Sequence, residues 1–295
     1  MPSDFKIGVM IESFRCGLRG GLQAAANLGV QGVQLYATGG ETHFSKLRGP
    51  ALADLRLMLA EHNLEMAAVC GDFGGHGFQV AEANASRIED SKRVVELALE
   101  LNCHVVTTHI GVLPADARHP RYVVMARACA SLAQFAASQG AIFAIETGPE
   151  PAIVLRSFLD DIGIPKGLGV NFDPANLVMV CREDIPAAVQ TLAPYIVHTH
   201  AKDGVNRKPV DAEKLYGTFA GDKIDGFCWK DYIQELPLGK GNVPFDAYLS
   251  ALRQAGYHGY LTIEREAGDN PYQDIDGAVS FLREAMAKEN KEIAK

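Results

Sequence analysis

The sequence predicts an α/β protein, a single (β/α)8 barrel carrying an insertion after its seventh strand. Three features of the 295 residues point there. Apolar strand-like runs alternate with helix-like stretches from end to end, and eight such runs can be read. Four late runs also end in a side chain able to ligate a metal. They are Ala141-Ile-Phe-Ala-Ile-Glu146, Leu168-Gly-Val-Asn-Phe-Asp173, Ile196-Val-His-Thr-His200 and Tyr260-Leu-Thr-Ile-Glu264. Short apolar runs bounded by Gly, Pro and polar residues are how strands of a buried parallel sheet look. Groups at the carboxyl ends of four strands converge only if the strands stand side by side. A closed barrel arranges this, with its chemistry on the face where the strands end.

The elements follow in order. Lys6–Ile11 reads as the first strand, followed by a helical pattern at Gly21–Leu28. Gly32–Tyr36 is the second strand, with a helix near Leu52–His62. Glu65–Cys70 is the third, followed by a long helix at Ala83–Leu101. His104–His109 is the fourth strand, and Tyr122–Gln139 the helix after it. Ala141–Glu146 leads to a helix at Ala152–Asp161, and Leu168–Asp173 to one at Ile185–Leu192. Ile196–Ala201 is the seventh strand. The Gly-, Lys- and Asp-rich stretch of about 204–241 is long for a strand-to-helix loop, so it reads as an active-site insertion with some helix around Tyr216. Phe245–Ala255, the eighth strand Gly259–Glu264 and a helix at Ile275–Ala287 close the pattern. Gly29, Asn63, Asn102, Gly140 and Gly256 sit where helices should stop. The domain expectation is one barrel over 1–288 and a charged, fraying tail at 289–295.

Composition agrees with a globular chain. Hydrophobic residues make up 47% and charged residues 22%, and the length holds one barrel of roughly 250 residues plus an insertion. A net charge of −8 argues against a nucleic-acid partner. No stretch approaches the roughly 20 apolar residues of a membrane span, and Met-Pro-Ser-Asp-Phe-Lys lacks a signal-peptide core. The six cysteines show no CxxC spacing and read as free thiols, which makes a reducing cytoplasmic setting the default.

Alternate residues of a strand share a face. Counting back from each terminal ligand, the inward set is Glu146, Ala144 and Ile142; Asp173, Asn171 and Gly169; His200 and His198; Glu264, Thr262 and Tyr260. The opposite parity (Phe143, Ile145, Val170, Phe172, Leu261, Ile263) is branched or aromatic and suits packing under helices. Glu146, Asp173, His200 and Glu264 therefore form a candidate metal set, with Asn171, His198 and Thr262 a layer below. Three oxygen donors and one imidazole suit one divalent ion, Mn²⁺, Mg²⁺ or Co²⁺, better than a sulfur-rich zinc site. The bland alternative is a polar, water-filled barrel mouth.

These residues resemble the xylose isomerase-like barrel superfamily of ketose 3-epimerases, sugar and hydroxypyruvate isomerases, inosose-processing enzymes and endonuclease IV. The resemblance runs along nearly the whole chain. It is carried by Ile145-Glu146-Thr147-Gly148, Asn171-Phe-Asp173-Pro-Ala-Asn176, Val197-His-Thr-His200-Ala-Lys-Asp203, Leu238-Gly-Lys-Gly241 and Gly256-Tyr-His-Gly-Tyr-Leu-Thr-Ile-Glu264-Arg-Glu266. It implies that Glu146, Asp173, His200 and Glu264 are metal ligands, and that Glu146 and Glu264 are the acid/base carboxylates. One departure stands out. Many members carry His three residues beyond the sixth-strand Asp, whereas here Asn176 stands there. That argues against abasic-site DNA cleavage and against direct assignment to the tagatose and psicose epimerases.

The chemistry so implied is proton transfer beside a sugar carbonyl through an enediolate, giving isomerisation or epimerisation of a small sugar or polyol. An inosose-type dehydratase with the same ligands is the alternative; an endonuclease IV-like hydrolase and a non-catalytic sugar-binding subunit are further ones. Substrate-binding candidates are His109 at the end of the fourth strand, Asn176 (or a helix cap), Lys202 (or a surface ion pair with Asp203), His76 after the third strand, Glu12 after the first, and Arg265 (or a solvated ion pair). Arg207 is a further option, and Trp229 and Phe227 could cover the apolar face of a sugar. Barrels of this kind often pair through outer helices, which leaves a homo-oligomer open.

Overall fold

The computed structural model describes residues 5–293. Eight parallel strands close into a barrel: β1 (Lys6–Met10), β2 (Gly32–Tyr36), β3 (Glu65–Cys70), β4 (Val105–Thr108), β5 (Ile142–Glu146), β6 (Leu168–Phe172), β7 (Ile196–Ala201) and β10 (Tyr260–Ile263). β10 lies between β7 and β1 and so closes the ring. Around it run α1 (Gly17–Leu28), α2 (Pro50–Glu61), α3 (Ala81–Glu100), α4 (Pro120–Gln139), α5 (Ala152–Ile162), α7 (Ile185–Leu192), α9 (Phe245–Gln254) and α10 (Pro271–Ile293). A single helical turn, α6 (Pro174–Asn176), follows β6. None of the described helices is long and apolar enough to cross a membrane.

The strand faces divide as their alternation requires. Phe143, Ile145, Val170, Phe172, Leu261 and Ile263 are buried in the apolar layer between sheet and helices, and Phe172 stacks on Tyr248 of α9 at 5.6 Å. Burying a side chain of that size stabilises the fold by roughly 1.5–3 kcal/mol. The inward parity is polar toward the strand ends, and register keeps it aligned: Glu146 pairs with Asn171, Asn171 with His198, and Thr262 with His200. A register shift between Val170 and Asn171 achieves the second match. Gly32 is small because the Tyr260 ring fills the barrel there; a Cβ at Gly32 would lie 2.3 Å from it. The helix stops fall in left-handed backbone, including Asn63 and Asn102 at φ 54 and 57°.

Three features differ from the sequence expectation. The insertion is more structured than a loop with one helix. It opens with β8 (Asp203–Asn206), continues through α8 (Ala212–Phe219) and a 3₁₀ turn at Trp229–Asp231, and returns through β9 (Ile233–Leu236), which pairs antiparallel with β8. A four-residue ribbon edge in a polar stretch carries too little apolar alternation to be read. Strand four ends at Thr108, so His109 lies just beyond it. Helix α10 runs to Ile293, past the expected end at Ala287. Charge there does not end the helix: a buried Arg253–Glu289 pair at 3.0 Å and an exposed Lys288–Asp246 pair tie it to α9. Residues 294–295 of the expected tail lie outside the described residues. The cysteines are free; Cys70, Cys103 and Cys129 are buried, while Cys16 and Cys228 are exposed.

Asp203 clasps the insertion shut. Its Oδ1 accepts from the amides of Gly204 (2.8 Å) and Val243 (3.1 Å), and its Oδ2 from Gly239 (3.0 Å) and Gly241 (2.8 Å). Gly241 must be glycine, since a Cβ would meet Asp203 Oδ1 at 2.1 Å. Asp203→Ala should orphan these amides, lower urea stability by about 1–3 kcal/mol and speed tryptic cleavage at Lys223 and Lys230; unchanged cleavage would show that the clasp is dispensable.

Candidate metal centre and active site

Glu146 is the last residue of β5, Asp173 follows β6, His200 lies near the end of β7, and Glu264 follows β10. All four are buried, and each offers one ligand atom within 4.8 Å of the others. His200 Nδ1 is the hub, at 3.2 Å from Glu264 Oε2 and 3.5 Å from both Glu146 Oε1 and Asp173 Oδ2.

Local chemistry fixes each donor. Asp173 caps α6: its Oδ1 accepts from the Asn176 amide at 3.0 Å, ahead of Pro174 in the first turn. Its other oxygen is thereby turned toward His200. Thr147 Oγ1 accepts from the Asp173 amide at 2.8 Å. Glu146 accepts from Asn171 Nδ2 at 3.0 Å and Asn176 Nδ2 at 3.3 Å. Gln34 sets the imidazoles. Its amide nitrogen donates to Thr107 Oγ1, so its oxygen is left to accept from His198 Nε2 at 2.9 Å and His200 Nε2 at 3.3 Å. His200 then keeps its Nδ1 lone pair for the centre.

The set fits a divalent cation. Asp173 Oδ2 and His200 Nδ1 are buried without a hydrogen-bond partner and face one another across the cluster, and such orphans need an explanation. Burial opposes charge on His200, but Glu146 and Glu264 outweigh it and hold its pKa well above the usual value. A divalent ion answers the same demand for positive charge, with the imidazole neutral. Burial likewise works against ionised Glu264, yet Lys202 and His200 keep its carboxyl below the ordinary range.

The mouth opens into a cavity of about 850 Å³, with Glu146 and Glu264 among its lining and the insertion forming one wall. His109 lines it, its side chain 32% exposed; Nε2 lies 3.6 Å from Glu146 Oε1 and Nδ1 3.3 Å from Asp72 Oδ2. Burial lowers its pKa, but Glu146 and Asp72 prevail and push it up to about 10. Lys202 is buried and does not pair with Asp203; its Nζ sits 3.0 Å from Glu264 and 2.6 Å from Glu266. Asn176 holds Glu146, while the capping role belongs to Asp173.

Glu12 and His76 stand apart from the centre, whereas Arg265 lines the cavity. Arg265 is buried rather than solvated, tied to Glu235 (2.5 Å) and Asp274 (2.9 Å), so its guanidinium is already engaged. Glu12 is outside the cavity lining; its Oε1 accepts from the Tyr36 amide, and its Oε2 is buried without a partner. Burial raises its pKa to about 7. His76 sits at the rim, 3.1 Å from Asp222 of the insertion, with both side chains nearly half exposed. Trp229 lines the cavity, whereas Phe227 stacks on Tyr232 at 4.9 Å and does not. Arg207 lines it but donates to Lys230 O and Gln234 Oε1. Gln34, Asp72 and Tyr216 escaped the sequence reading. Gln34 could have been flagged as an amide within an otherwise apolar strand; Asp72 and Tyr216 carry no such signal.

A family model described as the xylose isomerase-like TIM barrel matches residues 22–285. Among curated proteins, none matches the chain. Among solved structures, a xylose isomerase domain protein from Planctomyces limnophilus is 28% identical, with a TM-score of 0.80 over 98% of this chain and 99% of that one. A D-tagatose 3-epimerase-like protein is 20% identical with a TM-score of 0.76, over 98% and 100% of the two chains. A xylose isomerase domain protein from Alicyclobacillus acidocaldarius is 17% identical with a TM-score of 0.72, over 97% and 99%. At these last two identities the likeness shows the fold alone.

Two outcomes follow from the geometry. Gln34→Met should weaken Mn²⁺ binding about 10–100-fold in calorimetry, because His200 Nε2 loses its acceptor and is left facing only Asn171 Nδ2, a donor at 3.2 Å; unchanged affinity would remove Gln34 from the centre. Unfolded Glu12 ionises near 4.5 and the folded side chain near 7. The folded chain therefore holds an extra proton between those values and loses stability as pH rises through them. Glu12→Gln should then exceed the parent in urea stability at pH 8, by up to about 3 kcal/mol, and match it at pH 4.

Proposed function

The chain belongs to the xylose isomerase-like TIM barrel family, and on that footing we propose that it is a metal-dependent sugar isomerase or epimerase. It would move a proton beside a sugar carbonyl, with Glu146 and Glu264 as the base and acid. The observation that carries this reading is the geometry of the four donors. Glu146 and Glu264 reach the cavity, while Asp173 and His200 lie wholly behind them. A site built only to bind has little use for two carboxylates that both line the chamber.

The family relationship and the donor set support Glu146, Asp173, His200 and Glu264 as holders of one Mn²⁺, Mg²⁺ or Co²⁺. Once bound, the ion would act as a Lewis acid that stabilises the enediolate charge, typically worth several kcal/mol. The remaining work falls to side chains. Lys202 keeps Glu264 ionised and able to accept a proton from carbon. Asn171 and Asn176 fix the Glu146 carboxylate, and His109, oriented by Asp72, lies near its cavity side. His109 would bind the substrate oxygen nearest Glu146. Return of the proton to the opposite face gives an epimer, and return to the neighbouring carbon gives an isomer. The D-tagatose 3-epimerase-like fold relative is consistent with this class of substrate.

The test is deuterium uptake from D₂O into a panel of ketoses and aldoses by Mn²⁺-loaded protein. Uptake should fall about 100- to 10,000-fold in Glu146→Gln and in Glu264→Gln, and EDTA should abolish it until Mn²⁺ is restored. Uptake that survives both substitutions defeats the assignment. Release of an absorbing dione or enone from a keto-inositol, without exchange into sugars, moves the chemistry to the dehydratase class.

A further inference from the structure

The cavity is larger and more aromatic than one sugar ring requires. At about 850 Å³ it lies toward the top of the roughly 300–1,000 Å³ range of pockets that enclose drug-sized ligands. A single hexose is much smaller than such a ligand. Glu146 and Glu264 of the donor set line this space, and residues of the insertion form one wall of it. Between them runs a string of rings. His109 lies 3.6 Å from Glu146 and 6.3 Å, between ring centroids, from Tyr216. Tyr216 lies 5.8 Å from Phe219, and Phe219 lies 5.6 Å from Trp229, each pair edge to face. Each step is about the width of a sugar ring, and three steps lead from His109 to Trp229.

Its outer end is unsatisfied. Phe219 is 51% exposed although it lines the cavity, and an apolar ring held in water at a chamber wall gains by being covered. Clusters pin the support instead of the ring: Arg121 pairs with Glu213 of α8, and Asp211 caps that helix by accepting from Glu213 N at 2.9 Å. Lys230 and Gln234 line the same wall and supply polar edges beside the aromatic faces.

We propose that the substrate is a glycoside, its reacting ring over the four donors and a second ring seated on the Phe219–Trp229 ladder. The shared chemistry of that second ring is a flat apolar face, offered by either a sugar or an aryl group. The proposal rests on the proton-transfer reading above and narrows it. In a glycoside the anomeric carbon is locked in the linkage, so the carbonyl must lie on another ring carbon. The proton removed beside it returns either to the opposite face of the same carbon, an epimerisation, or to the former carbonyl carbon, which moves the ketone one position round the ring; neither changes the overall redox state.

Trp229 is the chain's single tryptophan, so its emission reports this wall directly. Mg²⁺-loaded protein is titrated with phenyl β-D-glucopyranoside, cellobiose, methyl β-D-glucopyranoside and fructose. Saturable emission change should occur at about ten-fold lower concentration with phenyl glucoside or cellobiose than with the one-ring sugars, and Phe219→Ala should shrink that gap to about three-fold or less. Phenyl glucoside alone marks an aryl group and cellobiose alone a second sugar. Equal response to all four sugars, or none, overturns the proposal. So does an emission shift on dilution without sugar, which would mean that a second copy covers the ladder. Deuterium uptake is read separately with phenyl β-D-glucopyranoside oxidised to its 3-ketone, because the glycosides titrated carry no free ring carbonyl. A concentration gap without uptake into that ketone means that the reaction assignment fails and the subsite stands, and uptake without the gap removes the subsite alone.

Discussion

Three carboxylates and an imidazole held within 4.8 Å of one another, all buried, cannot all keep their ordinary charge states without positive charge among them. Like carboxylates sharing a dry site repel, and burial penalises each separately. Much of the surrounding structure answers this problem. Lys202 is drawn out of solvent to Glu264, His109 is drawn to Glu146, and His200 is placed between all three acids. Lys202 and a protonated His109 would each be costly to bury alone. Together with the acids they make a polar centre at the mouth of an otherwise apolar barrel.

The two glutamates reach the cavity from different settings. Glu264 is matched by a lysine, itself shared with Glu266. Glu146 is held by neutral amides from Asn171 and Asn176. Asn176 thus acts as a tether for Glu146. Gln34 and Thr107, from the far side of the barrel, fix the imidazoles that complete the centre. A closed sheet is what allows strands two and four to serve residues on strand seven.

The insertion ties the chamber together. Asp203 gathers four amides at its two ends, and Glu235 of β9 accepts from Arg265 and from the amide of Glu266 at 3.1 Å. Arg265, readable as a solvated or substrate-facing arginine, is thereby a buried brace between the insertion and the loop after β10. The same link places Glu266 within reach of Lys202.

The barrel, the eight strands and the four donors were legible because they depend on local regularities. Strand alternation places Glu146, Asn171, His198 and His200 on one face whatever else the chain does, and a buried parallel sheet enforces long apolar runs. Tertiary structure decided what parity cannot encode: which neighbour each polar atom meets. Asp72 under His109, Gln34 against two histidines and Lys202 turned to Glu264 rather than Asp203 all join residues far apart in sequence, brought together by closure of the sheet. The β8–β9 ribbon also belongs to this class, since backbone pairing and one buried aspartate hold it, and neither leaves a periodic trace in side-chain hydropathy.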